Sequence, residues 1–104
     1  MIDLKPEYLQ EVKQILAEFA PDCEVRVFGS RINGTAQPYS DLDLALIGPK
    51  ELDWQSMNKI KQAFSESDLP YLVDVLDWHS ISDEFKKVIE KQYEVLQKGS
   101  SASC

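Results

Sequence analysis

Residues 28–46 read Phe28-Gly29-Ser30-Arg31-Ile32-Asn33-Gly34-Thr35-Ala36-Gln37-Pro38-Tyr39-Ser40-Asp41-Leu42-Asp43-Leu44-Ala45-Leu46. The end of this stretch alternates. Leu42, Leu44 and Leu46 fall on one face of an extended chain, and Asp41, Asp43 and Ala45 fall on the other. That pattern predicts a half-buried strand over 42–47. Just upstream, Val25, Val27 and Phe28 form a short β-type run that ends at Gly29. Between the two strands, Asn33-Gly34 and Pro38 leave room for at most a short helix followed by a loop.

Helical patterns flank this pair. Pro6 suits the first position of a helix, where its missing N–H costs nothing. Leu9, Val12, Ile15, Leu16 and Phe19 then recur at helical spacing, and Ala20-Pro21-Asp22 stops the run. After Gly48-Pro49, Asp53 can cap a helix carrying Trp54, Met57, Ile60 and Phe64. Asp68-Leu69-Pro70 ends it, and 71–78 reads as a third strand with Asp74 in its middle. Ser80 and Asp83 offer a capping box for a last helix carrying Phe85, Val88, Ile89 and, in continuation, Tyr93 and Leu96. The expected architecture is α+β, a small three-stranded mixed sheet flanked by helices. Residues 1–98 are expected to form one domain, with 99–104 a small, polar, disordered tail.

The turn and the aspartates carry the chemistry. A strand that ends in Gly-Ser and leads towards a helix presents backbone N–H groups to an anion. Gly29 allows close approach of a phosphate, Ser30 adds a hydroxyl donor and Arg31 a fixed positive charge. Gly-Ser alone is too common to mean more than a strand-to-helix turn. Asp41 and Asp43 add the second half. Carboxylates at i and i+2 of a strand share a face and repel unless a cation or hydrogen bonds offset the repulsion. Magnesium binds through such carboxylates together with substrate phosphates. Asp74, inside Leu72-Val73-Asp74-Val75-Leu76, is a third candidate, because Asp is disfavoured within a β-rich run. If its strand neighbours 42–47, three carboxylates can hold two metal ions and help deprotonate an acceptor hydroxyl. The alternative is an edge-strand Asp facing solvent. Asp77 is a further candidate beside Trp78.

Composition narrows the classes. The chain has 104 residues and a formal net charge of −7. Its Lys and Arg are not clustered, so no direct nucleic-acid binding is expected. An acidic surface suits a metal-bound small ligand or a basic protein partner. No apolar run approaches membrane-spanning length. Cys23 and Cys104 with the single His79 make no familiar zinc spacing, and so few cysteines read as reduced and cytoplasmic. No P-loop lysine follows Gly29.

Gly29-Ser30, ten residues, then Asp41-Leu42-Asp43 matches the G-S-x10-D-x-D signature of the DNA polymerase β-like nucleotidyltransferase superfamily. Arg31, Gly34, Thr35 and Ser40 fit its fuller pattern, and the likeness spans about residues 5 to 96. The chain is especially similar to the minimal nucleotidyltransferases. The resemblance implies that Asp41, Asp43 and Asp74 are magnesium ligands and that Gly29 and Ser30 hold the triphosphate. It also implies a helical partner of the HEPN type. In such toxin–antitoxin pairs the nucleotidyltransferase is the antitoxin and can transfer AMP from ATP to a tyrosine of the partner. Larger superfamily members carry an extra helical domain for acceptor and base, for which 104 residues leave no room. The acceptor site is therefore expected to be shallow or completed by another chain, and a homodimer is among the expected assemblies. A rival reading keeps the fold and drops the catalysis: an acidic antitoxin-like module that neutralises a helical partner by binding alone.

Overall fold

In the computed structural model, residues 4–29, Ile32 and 40–99 are described. Their elements run α1 (Pro6–Phe19), β1 (Glu24–Phe28), β2 (Leu42–Ile47), α2 (Trp54–Ser65), β3 (Val73–Asp77), a single 3-10 turn (Trp78–Ser80), α3 (Asp83–Lys91) and β4 (Glu94–Gln97). The sheet order is β3-β2-β1-β4. β1 runs antiparallel to both β2 and β4, whereas β2 and β3 are parallel. The parallel pair needs a crossover, and α2 supplies it.

Alternation divides the sheet into two faces. Val25 and Val27 of β1, Leu42, Leu44 and Leu46 of β2, and Val75 of β3 point towards α1 and α2, where they meet Val12, Leu16, Ile60 and Phe64. The three β2 leucines are fully buried, and each such side chain contributes about 1.5–3 kcal/mol on removal from water. The opposite face carries Phe28 and Ala45, covered by Ile89 and Phe85 of α3. Phe28 and Phe85 meet edge to face, with ring centroids 5.8 Å apart. The sheet is thus sandwiched between α1 and α2 on one side and α3 on the other.

The expected count of three strands is corrected to four. The last helix ends at Lys91 and does not continue through Tyr93 and Leu96. Gln92 is extended, with φ −157° and ψ 110°. Glu94–Gln97 then pairs with β1 through Val27↔Glu94, Arg26↔Val95 and Val25↔Gln97, and Leu96 is the extra residue of a bulge. This pairing satisfies backbone groups that β1 would otherwise leave open along its free edge. The Gln97 side-chain amide donates to the carbonyls of Ala20 and Cys23 at 2.8 and 3.0 Å, which ties β4 to the α1–β1 turn. Gly99 is buried, and a Cβ there would lie 2.6 Å from the Asp22 carbonyl oxygen.

Two caps complete the frame. Asp53 caps α2 by accepting from the Ser56 amide at 2.8 Å. Ser82, rather than Ser80, caps α3 by accepting from the Phe85 amide at 3.1 Å. Ser80 is occupied one turn earlier, where its hydroxyl donates to the Asp77 carbonyl at 2.9 Å and closes the 3-10 turn. Among the described residues, no helix is long and apolar enough to cross a membrane.

Candidate active site

The carboxylates lie on the α3 face of the sheet, at the end where β1 finishes and β2 and β3 begin. Asp43 stands directly opposite Asp74 in the parallel β2–β3 ladder. It also stands opposite Phe28 in the antiparallel β1–β2 ladder. The row Phe28, Asp43, Asp74 therefore crosses three neighbouring strands. Asp41 is exposed one residue before β2. The next residue, Leu42, anchors the start of β2 by donating its amide to the Leu72 carbonyl at 2.9 Å.

Asp43 is half-buried, and its carboxyl is pushed up from 3.8 to about 6. Burial is the largest cause, followed by the negative charges of Asp74 and then Asp41. Asp43 thus holds its charge at a cost, in a field made by the other two carboxylates. Asp74 is exposed, so solvent reaches the row from the β3 edge.

Gly29 closes the row from the β1 side. Its φ is +85°, a conformation that a side chain disfavours. A Cβ at this position would collide with the Asp43 carboxylate and lie 3.2 Å from its Cγ. Glycine is therefore required twice, by the turn and by the carboxylate packed against it. The Gly29 carbonyl accepts from the Ile32 amide at 3.0 Å, which bends the chain away from the strand axis. Ser30 and Arg31, the other two residues assigned to phosphate binding, lie outside the described residues.

The structure thus gathers Gly29, Asp43 and Asp74, with Asp41 at their rim. Among the described residues, no three His, Cys, Asp or Glu side chains close into a complete metal cage. A pair of strand carboxylates under mutual repulsion nevertheless fits a hard divalent cation. Such an ion commonly takes one or two protein carboxylates and completes its shell with water and substrate phosphates. Asp77 belongs elsewhere. It points to the opposite face from Asp74, is 5% exposed, and accepts from the amides of Leu52 at 2.7 Å and His79 at 3.0 Å. His79 in turn bonds the Gly48 carbonyl through Nε2 at 2.8 Å. Asp77 and His79 together staple the β2–α2 loop to the end of β3.

The sequence reading missed the recess next to this row. Phe28 and Gly29 face Phe85, Val88, Lys91 and Gln92 of α3 and its C-terminus around a cavity of about 380 Å³. Val88, an apolar helix residue on its wall, is 57% exposed. A second recess of about 330 Å³ lies between α2 and the start of β3, lined in part by Phe64, Tyr71 and Val73. It opens on the far side of the sheet from the carboxylates.

A mixed sheet that brings a glycine turn against two facing strand aspartates defines a nucleotidyltransferase core. The chain belongs to the polymerase beta nucleotidyltransferase family, whose sequence model matches residues 10–101. It is 50% identical over 97 residues to a probable protein adenylyltransferase, MntA, of Haemophilus influenzae, covering 93% of this chain and 85% of that one. A toxin–antitoxin structure with AMP-PNP shares the fold at a TM-score of 0.75 and 24% identity, over 90% of this chain and 76% of that chain. The complex of a tri-AMPylated Shewanella oneidensis HEPN toxin with its MNT antitoxin does so at a TM-score of 0.70 and 22% identity, over 96% of this chain and 77% of that one.

Proposed function

We propose that this chain transfers AMP from ATP to a hydroxyl of a HEPN-type partner, a tyrosine, and acts as the antitoxin of the pair. The observation that carries the reading is the in-register pair Asp43↔Asp74 with Gly29 packed on the Asp43 carboxylate. It puts a phosphate-tolerant backbone and two carboxylates within one small area. The relative at 50% identity is a probable protein adenylyltransferase, and the HEPN toxin in the Shewanella complex is itself AMPylated.

Each residue has a part. Gly29, with Ser30 and Arg31, receives the triphosphate. Asp41, Asp43 and Asp74 would hold magnesium, two ions in this reading. Bound magnesium neutralises phosphate charge and favours loss of the acceptor proton. The raised proton affinity of Asp43 is the property of a carboxylate that gains from a cation. Asp74, open to solvent on the β3 edge, and Asp41, exposed just before β2, are the carboxylates an incoming acceptor can reach. The acceptor hydroxyl gives its proton to the Asp74 carboxylate, its oxygen forms a bond to the α-phosphorus, the α–β phosphoanhydride breaks, and pyrophosphate leaves. Catalysis comes mainly from positioning and charge neutralisation.

The test is Asp41→Asn combined with Asp43→Asn. AMP transfer to the partner should be lost while the fold and the complex persist. Retained transfer would refute the mechanism. A tight complex that leaves the partner's mass unchanged with the unmodified chain, ATP and magnesium would favour the binding-only reading.

A further inference from the structure

Leu72 is a large apolar side chain left in water, 75% exposed. A single exposed leucine is ordinary on a protein surface, but this one is held in place beside the carboxylates. Its carbonyl accepts from the Leu42 amide at 2.9 Å, one step before the Leu42↔Val73 pair of the parallel β2–β3 ladder. That step sets Leu72 beside Asp41. Along β3, Val73 and Val75 pack towards α1 and α2, and Leu76 packs on the α3 side. Alternation therefore sets Leu72 on the side of Asp74, two residues on. As the residue before the strand, Leu72 also borders the recess between α2 and β3. Leu72, Asp41 and Asp74 are all exposed and make one open corner of the sheet. An acceptor with its oxygen at these carboxylates can lay its carbon body against Leu72. A phenol fits that demand, with an apolar ring and a polar tip. An aliphatic hydroxyl, one carbon from the backbone, has no ring to lay there.

We propose that Leu72 is a specificity-determining residue for the acceptor: its side chain packs on the ring of the incoming tyrosine and brings the phenolic oxygen to Asp74 and Asp41. The inference rests on the AMP-transfer reading above and adds to it the residue that selects the acceptor. The bond changes are those given there, with the phenol proton passing to Asp74, the phenolic oxygen bonding the α-phosphorus and pyrophosphate leaving. The test uses the unmodified chain, Leu72→Ser and Leu72→Met with ATP, magnesium and the HEPN-type partner. A set of partners in which each tyrosine in turn is replaced by Ala completes a double-mutant cycle. Position 72 is solvent-facing, and thermal melts check that each variant folds. Leu72→Ser should raise the KM for the partner about tenfold and leave the KM for ATP unchanged. Leu72→Met should restore the parent value, because the thioether chain offers a similar apolar contact. Leu72→Ser should also weaken the complex with every partner except the one that lacks the acceptor tyrosine.

An unchanged KM for the partner in Leu72→Ser, with AMP transfer intact, would overturn this assignment and leave the transfer reading standing. So would equal weakening of the complex with every member of the partner set, because Leu72 would then meet the partner away from the acceptor ring. Coupling between Leu72 and one tyrosine without any AMP transfer by the unmodified chain would overturn the transfer reading and leave the ring contact standing. Absence of both the coupling and the transfer would overturn both.

Discussion

Asp43→Asn should stabilise the metal-free protein while destroying its activity. In the folded chain the Asp43 carboxyl lies at about 6 against an ordinary 3.8, raised by burial and by Asp74 and Asp41. Each tenfold change in proton affinity is worth about 1.4 kcal/mol. The carboxylate is only half-buried, so solvent screening reduces the full value to about 1 kcal/mol. The sign follows from linkage. A carboxyl whose folded value is raised favours the fold when protonated, below about pH 4, and this stability is lost as pH rises through about 6. Asn mimics the protonated form at every pH. The variant should therefore exceed the parent by about 1 kcal/mol at pH 7.5, or about 5 °C in melting temperature for a domain of this size. The difference should close towards pH 4. Urea melts in chelator across that range measure it; titrating groups that do not interact with Asp43 cancel in the comparison, and Asp74 and Asp41 enter as part of the same coupled set. Magnesium should stabilise the parent and not the variant. Equal or lower stability of Asp43→Asn at pH 7.5, or a gain that does not shrink with acid, would refute the repulsion argument.

Three further outcomes follow from the geometry. Gly29→Ala should cost about 1–3 kcal/mol through its positive φ and the collision with Asp43, and it should weaken triphosphate binding in parallel; urea melts and ATP titration check both. Asp77→Ala should cost about 2–3 kcal/mol, because the Leu52 and His79 amides lose a buried acceptor, yet the maximal transfer rate per folded molecule should hold, since Asp77 faces away from the carboxylate row. Trp54→Ala should change stability by less than about 0.5 kcal/mol, because Trp54 is 77% exposed, and a chevron or equilibrium melt tests it.

Much of the site was legible because its signals are local. The period-two pattern of Leu42, Leu44 and Leu46 fixed both the strand and the face of Asp43. Asp74 stood out against the apolar residues around it, and the observed parallel register of β2 and β3 sets it opposite Asp43. Asp77 could have been separated from Asp74 by spacing alone, since residues three apart on a strand face opposite ways. The fourth strand was not legible. Phe85, Val88, Ile89, Tyr93 and Leu96 fit one helical stripe, and only the unfilled edge of β1, far upstream, turns Glu94–Gln97 into a strand. The capping box expected at Ser80 and Asp83 gave way to a cap at Ser82, because the 3-10 turn after Asp77 takes up the Ser80 hydroxyl. The recess under α3 depends on how a helix seats on a sheet, which no local pattern encodes.

In the proposed reaction the α-phosphate of ATP ends on a partner protein through the Asp41, Asp43 and Asp74 cluster. Its most direct test uses ATP labelled at the α- or the γ-phosphate, with magnesium, this chain and its HEPN-type partner. Label should appear on a partner tyrosine from α-labelled ATP only, with pyrophosphate as the second product and no transfer with Asp41→Asn plus Asp43→Asn. Label arriving from the γ-phosphate, or α-label transfer that survives the double substitution, would contradict it.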